Sequence, residues 1–157
     1  MSIGWAEENI TPEKGTKIGL AGQFFERITD EVESRITVTA FALDNGSDKM
    51  VIASCNFVAV DKNLHKLVKE KVEKVYPELK DKIITNAIHP HTSYEYTRKG
   101  TNSGSSLIVL KQMLPKGMEY KTLVSREKML DPDVALQFLV DKISESIIKA
   151  WENRTKW

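Results

Sequence analysis

One cysteine in 157 residues leaves no internal disulfide available, so packing and hydrogen bonding must hold this chain together. Cys55 lies inside an apolar run and reads as a buried, inert thiol. Neither sign of charge is in surplus: 23 Lys and Arg stand against 22 Asp and Glu. The total therefore offers no pull toward nucleic acid or an acidic membrane surface. The basic cluster Lys66, Lys69, Lys71 and Lys74 is interleaved with Glu70 and Glu73, which is a solvated helix face rather than a phosphate patch. Long apolar runs are also missing, and Glu7 and Glu8 arrive early. Neither a secretory leader nor a transmembrane segment is expected, and the chain reads as cytoplasmic. Without secretion the three Asn-x-Thr/Ser patterns, at Asn9, Asn45 and Asn153, carry no information. Histidine is scarce too: three in the whole chain, two of them separated by a single residue.

What is present reads as one α/β domain over residues 1–157, a mixed β-sheet with packed helices. At this length a chain buries roughly 70% of its unfolded surface and can fold alone. Residues 2–10 make a plausible first strand, followed by turn chemistry at Thr11-Pro12-Glu13-Lys14-Gly15. Gly15, Gly19 and Gly22 space the next loop. Ordinary turn geometry accounts for them, and they carry no phosphate-binding signature. Ile36 to Leu43 is rich in β-formers, and Asn45-Gly46 separates it from a second apolar run, Met50 to Phe57. That pattern predicts an antiparallel hairpin. Asp61 is placed to cap a helix whose apolar positions Leu64, Leu67, Val68, Val72 and Val75 follow the 3.6-residue period until Pro77 stops it. Strand, helix and strand from Met50 to Ile88 form a crossover unit, which makes the later strand parallel to the earlier one.

That later strand carries the chemistry. Lys82 to Ile88 is apolar and β-branched, and it ends in His89-Pro90-His91. On extended backbone, residues two apart share a face, so both imidazoles can reach one point. Pro90 is expected to push His89 toward β or polyproline geometry and keep the unit stiff. Two neutral imidazoles begin a transition-metal site, zinc foremost, although catalytic zinc needs about three protein ligands and an open position. The competing reading is a pair of hydrogen-bonded structural histidines. Ligand sites in open α/β sheets favour the carboxyl ends of strands, which is where this pair falls. His65 sits at the edge of its helix stripe and reads as a surface histidine. Tyr94, Tyr96 and Arg98 are near enough in sequence to line a pocket, and equally suit a plain loop. Residues 97–106 have loop composition, Leu107 to Leu114 leans toward a short helix, and Asp131-Pro132-Asp133 opens a last helix whose stripe runs Leu136, Leu139, Val140, Ile143, Ile147 and Trp151.

Ile84 to Ser93 resembles the His-x-His-Ser segment of the neutral/alkaline non-lysosomal ceramidases, in their amino-terminal domain. The resemblance extends in order through Ile3 to Pro12 (similar to the family's Gly-x-Ala-x-x-x-Ile-Thr-Pro start), the Gly19-Leu20-Ala21-Gly22 loop and the Arg35 to Leu43 strand. It covers residues 3–93. It departs after the histidines, where Thr92-Ser93-Tyr94-Glu95-Tyr96 replaces the family's Ser-Gly-Pro-Gly-Gly, and at Asn56, where the family carries Asp.

The resemblance implies a zinc-dependent amidohydrolase that cleaves an N-acyl amide with metal-activated water. His89 is then a zinc ligand. His91 is the catalytic group beside metal and substrate, counted with His89 among the metal-site residues. The implied partner is a small-molecule or lipid amide substrate. Family members are several times longer and hold their remaining ligands, a His, a Glu and a Tyr, further along, so the chain is expected to be a truncated part lacking its carboxyl-terminal remainder. Two rivals stay open: a non-catalytic binding or interaction module on the same scaffold, and a complete small hydrolase recruiting Asp61 or Glu95 as a ligand.

Overall fold

The computed structural model describes residues 1–20, 27–96, 112–118 and 129–157. Its backbone is a five-stranded sheet in the order β6-β5-β4-β1-β7. Strand β1 (Ser2–Asn9) runs antiparallel to β4 (Thr37–Asp44), and β4 antiparallel to β5 (Lys49–Cys55). The hairpin expected at Asn45-Gly46 is there, with Asp44 opposite Lys49 across a four-residue loop. Only Gly46 takes positive φ, +89°. Asn45 acts through its side chain, whose Oδ1 accepts from the Ser47 and Asp48 amides at 2.9 and 2.7 Å.

Helix α1 (Lys62–Val75) follows β5, capped by the Asp61 carboxylate, which accepts from the Leu64 amide at 2.8 Å. Pro77 ends it in a single 3₁₀ turn, Pro77–Leu79. The chain then returns as β6 (Ile83–Ala87), parallel to β5 from Val51 opposite Ile83 to Cys55 opposite Ala87. The crossover is as the sequence predicts. Helix α2 (Pro132–Glu152) is capped by Asp131, and β7 (Thr155–Lys156) then adds to the outer edge of β1.

Strand alternation decides which face is covered. Val38, Ala40 and Ala42 of β4 and Val51, Ala53 and Cys55 of β5 all point into the core, with Leu64, Val68 and Val72 of α1 and Leu139, Ile143 and Ile147 of α2. Helix α2 lies against β1, β4 and β5, and α1 lies against α2. Gly4 marks the closest approach: a Cβ there would stand 2.2 Å from the Ala150 carbonyl oxygen and 2.8 Å from the Arg154 nitrogen. Across the opposite face, register lines up Trp5, Phe41, Ile52 and Ile84 as lateral neighbours on four strands, and Trp5 is 68% exposed. No helix among the described residues is long and apolar enough to cross a membrane.

A second, smaller ladder begins where the glycine spacing from Gly15 to Gly22 predicts a loop. Strands β2 (Ile18–Gly19) and β3 (Ile28–Thr29) pair antiparallel, and Leu20 bridges to Tyr94. Gly22, Arg98, the loop 97–106 and most of Leu107 to Leu114 lie outside the described residues.

Candidate functional site

The parallel ladder continues past the end of β6. The Ile88 amide donates to the Cys55 carbonyl at 3.0 Å and the His89 amide to the Phe57 carbonyl at 3.2 Å. This brings His89 out at the carboxyl end of the strand. It does not leave in extended form, however. His89 has φ of +65°, in the left-handed region, so the expectation of a straight His-Pro-His unit is corrected. Two tertiary bonds override the local preference set by Pro90. Besides its amide bond to Phe57, the His89 ring places Nδ1 2.7 Å from the Val58 carbonyl oxygen. A carbonyl only accepts, so Nδ1 carries the proton and the neutral ring keeps its lone pair on Nε2.

The turn at His89 brings the two rings together. Their centroids are 5.0 Å apart and their planes 64° from parallel, with His89 exposed and His91 half-buried. The His91 carbonyl accepts from Nη2 of Arg27, a residue that no motif or spacing marks in advance. His65 stands elsewhere. It is half-buried rather than a free surface residue, and its Nδ1 lies 2.8 Å from the Thr85 hydroxyl, tying α1 to β6.

The two tyrosines after the histidines are anchors, not a pocket wall. Tyr94 is 1% exposed and donates its hydroxyl to the Ile10 carbonyl at 2.8 Å. Tyr96 donates to the Ala59 carbonyl at 3.0 Å, accepts from the Asp61 amide at 3.1 Å, and meets Phe57 edge-on. Burial pushes both phenols well above their ordinary range. Loss of solvation likewise pushes the Cys55 thiol up to about 12, so it offers no thiolate for catalysis or metal. Asp61 is committed to its helix cap, and Glu95 sits exposed with its amide bonded to the Gly19 carbonyl. Asn56 donates its amide to the Thr37 hydroxyl at 3.4 Å, bracing the base of the hairpin.

Metal-ligating histidines characteristically donate their second ring nitrogen to a backbone carbonyl, which fixes tautomer and ring orientation. His89 meets that requirement, and His91 supplies a neighbouring ring. The donor set suits zinc in type but is short in number: among the described residues no group of three or more His, Cys, Asp or Glu is gathered to hold an ion.

No family model matches the chain, and no curated protein matches it. Solved structures do. Over 98% of this chain, the neutral ceramidase of Pseudomonas aeruginosa superposes with a TM-score of 0.70 at 18% identity. A ceramidase complexed with C2 gives the same score and identity. The fold is ceramidase-like. The chain spans about a fifth of each of those proteins, 22% and 21% of their lengths. Within this ceramidase-like fold the histidine pair occupies the carboxyl edge of a parallel strand pair, the favoured place for a ligand in an open α/β sheet.

Proposed function

We propose that the chain is part of a zinc-dependent amidohydrolase that cleaves an N-acyl amide, with a ceramide-like lipid amide as the substrate class. One observation carries the reading: the exposed His89 ring, its Nδ1 locked on the Val58 carbonyl, stands beside the His91 ring in a ceramidase-like fold. His89 would hold the metal through Nε2, the ring nitrogen left free by the bond to Val58. His91, half-buried beside the His89 ring, would be the near-metal group that orients the attacking water or stabilises the developing oxyanion. A zinc ion at this place supplies a Lewis acid and brings the pKa of water down to about 7. The remaining ligands come from polypeptide beyond these residues.

Metal analysis of the longest native gene product tests the reading. We expect about one zinc per chain, with zinc and hydrolysis of an N-acyl substrate both lost in His89→Ala. A zinc-free product, or a His89→Ala protein with undiminished hydrolysis, overturns it. The second reading, a non-catalytic binding module on the same scaffold, is favoured by the lack of a third ligand among the described residues. A reading frame that closes at Trp157 would favour it further. One that continues into His, Glu and Tyr motifs favours the hydrolase.

A further inference from the structure

Two polar atoms beside the histidine turn are buried and have no hydrogen-bond partner: Nε of Arg27 and Oγ of Ser93. Leaving such a group unmade costs about 1–3 kcal/mol, and folded proteins keep few of them. The other two described side chains with such an atom, Glu73 and Ser144, belong to α1 and α2. At the turn, by contrast, a hydrogen bond from Arg27 to the His91 carbonyl ties one of these donors to the segment that carries the other.

Their proximity follows from the backbone. Arg27 Nη2 is bonded to the His91 carbonyl, which fixes the guanidinium against the loop. Ser93 is two residues further along and 3% exposed. The small ladder holds both backbones in place. Leu20 donates to the Arg27 carbonyl at 2.9 Å and bridges Tyr94, while the Glu95 amide donates to the Gly19 carbonyl at 2.8 Å. An arginine side chain has N–H donors and no acceptor, so Nε–H can be satisfied only by an acceptor.

We propose that Arg27 and Ser93 form a carboxylate subsite next to His91. Arginine presents N–H groups in a rigid planar fork that matches two carboxylate oxygens, and a serine hydroxyl adds a neutral donor. The cation attracts an anion in preference to the neutral amide of the same size. No metal takes part in this recognition. The identity of the natural ligand as the acyl product of amide hydrolysis rests on the reading of the previous section; the existence of the subsite does not.

The test is a titration of the metal-free chain, in chelator, with sodium hexanoate and separately with hexanamide, followed by NMR of the arginine Nε–H and backbone amide signals. Hexanoate should shift the Arg27 Nε–H and the Ser93 amide saturably, and hexanamide should bind at least about tenfold more weakly. Arg27→Gln should abolish saturation. Should Arg27→Gln fail to fold, Arg27→Lys keeps the charge without the fork, and should weaken hexanoate by about tenfold. Ser93→Ala should weaken it by a few-fold. No saturation by concentrations on the order of 10 mM, equal binding of acid and amide, or unchanged binding in Arg27→Lys overturns the subsite. Zinc content of the native gene product is read separately. Loss of the metal reading with hexanoate binding intact leaves the subsite standing, and the reverse result leaves the metal reading standing.

Discussion

His89 Nδ1 lies 2.7 Å from the carbonyl oxygen of Val58, which joins the turn after β6 to the stretch after β5. The bond selects one tautomer of the ring, and with the neighbouring amide bond to Phe57 it holds a non-glycine residue in left-handed geometry. Backbone of that kind persists only where surrounding contacts over-determine it.

Replacement of His89 therefore separates ring from backbone. His89→Ala keeps the unfavourable φ and loses the bond to Val58, so its stability should fall by about 1–2 kcal/mol. His89→Gly loses the same ring but tolerates positive φ, and should be the more stable of the two by about 1 kcal/mol. Urea denaturation of both variants checks this; a glycine variant less stable than the alanine one contradicts it.

Tyr96→Phe should destabilise by about 1–3 kcal/mol, because it strands the Ala59 carbonyl and the Asp61 amide together. Equilibrium denaturation measures the loss. The same segment carries the Val58 carbonyl, so the His89 ring NMR signals are also expected to move.

Cys55 should stay silent toward thiol reagents at pH 8 in the folded chain and react at once in denaturant. The sign for stability follows from its raised pKa, about 12 against 9.0 for the ordinary thiol. The folded state holds the proton more tightly than the unfolded one, so this contribution is whole below pH 9 and is lost as pH climbs toward 12. Cys55→Ser should remove that dependence between pH 9 and 11, read from denaturation midpoints.

Gly4→Ala should be among the most damaging single-methyl changes available. Its Cβ would meet backbone of Ala150 in α2 and of Arg154 just beyond that helix, not a side chain that can swing away. A loss of about 3 kcal/mol or more is expected, measured by thermal or urea unfolding.

Most of the frame was legible because its signals are local. Asn45-Gly46 announced the hairpin, Asp61 and Pro77 bounded α1, and Asp131-Pro132 opened α2. The crossover between β5 and β6 followed from order alone. What escaped depends on contacts distant in sequence. Strands β2, β3 and β7 are two residues long and exist through the partners they meet. Arg27 reaches His91 across 64 positions, with nothing around it in the sequence to mark it. The two rings meet, but not through strand alternation: Pro90 argues for extension at His89, whereas bonds to Phe57 and Val58 set its φ to +65° and the turn brings the rings together.

The bonds from Ile88 and His89 to Cys55 and Phe57 make the histidine turn the last rungs of the parallel ladder. Parallel pairing needs a long crossover, here the whole of α1, so these rungs are non-local contacts. Among the described strands β6 is at the sheet's edge, so the rungs that hold the turn are the ones most open to local fraying, and hydrogen exchange at the Ile88 and His89 amides reads how tightly that edge is zipped.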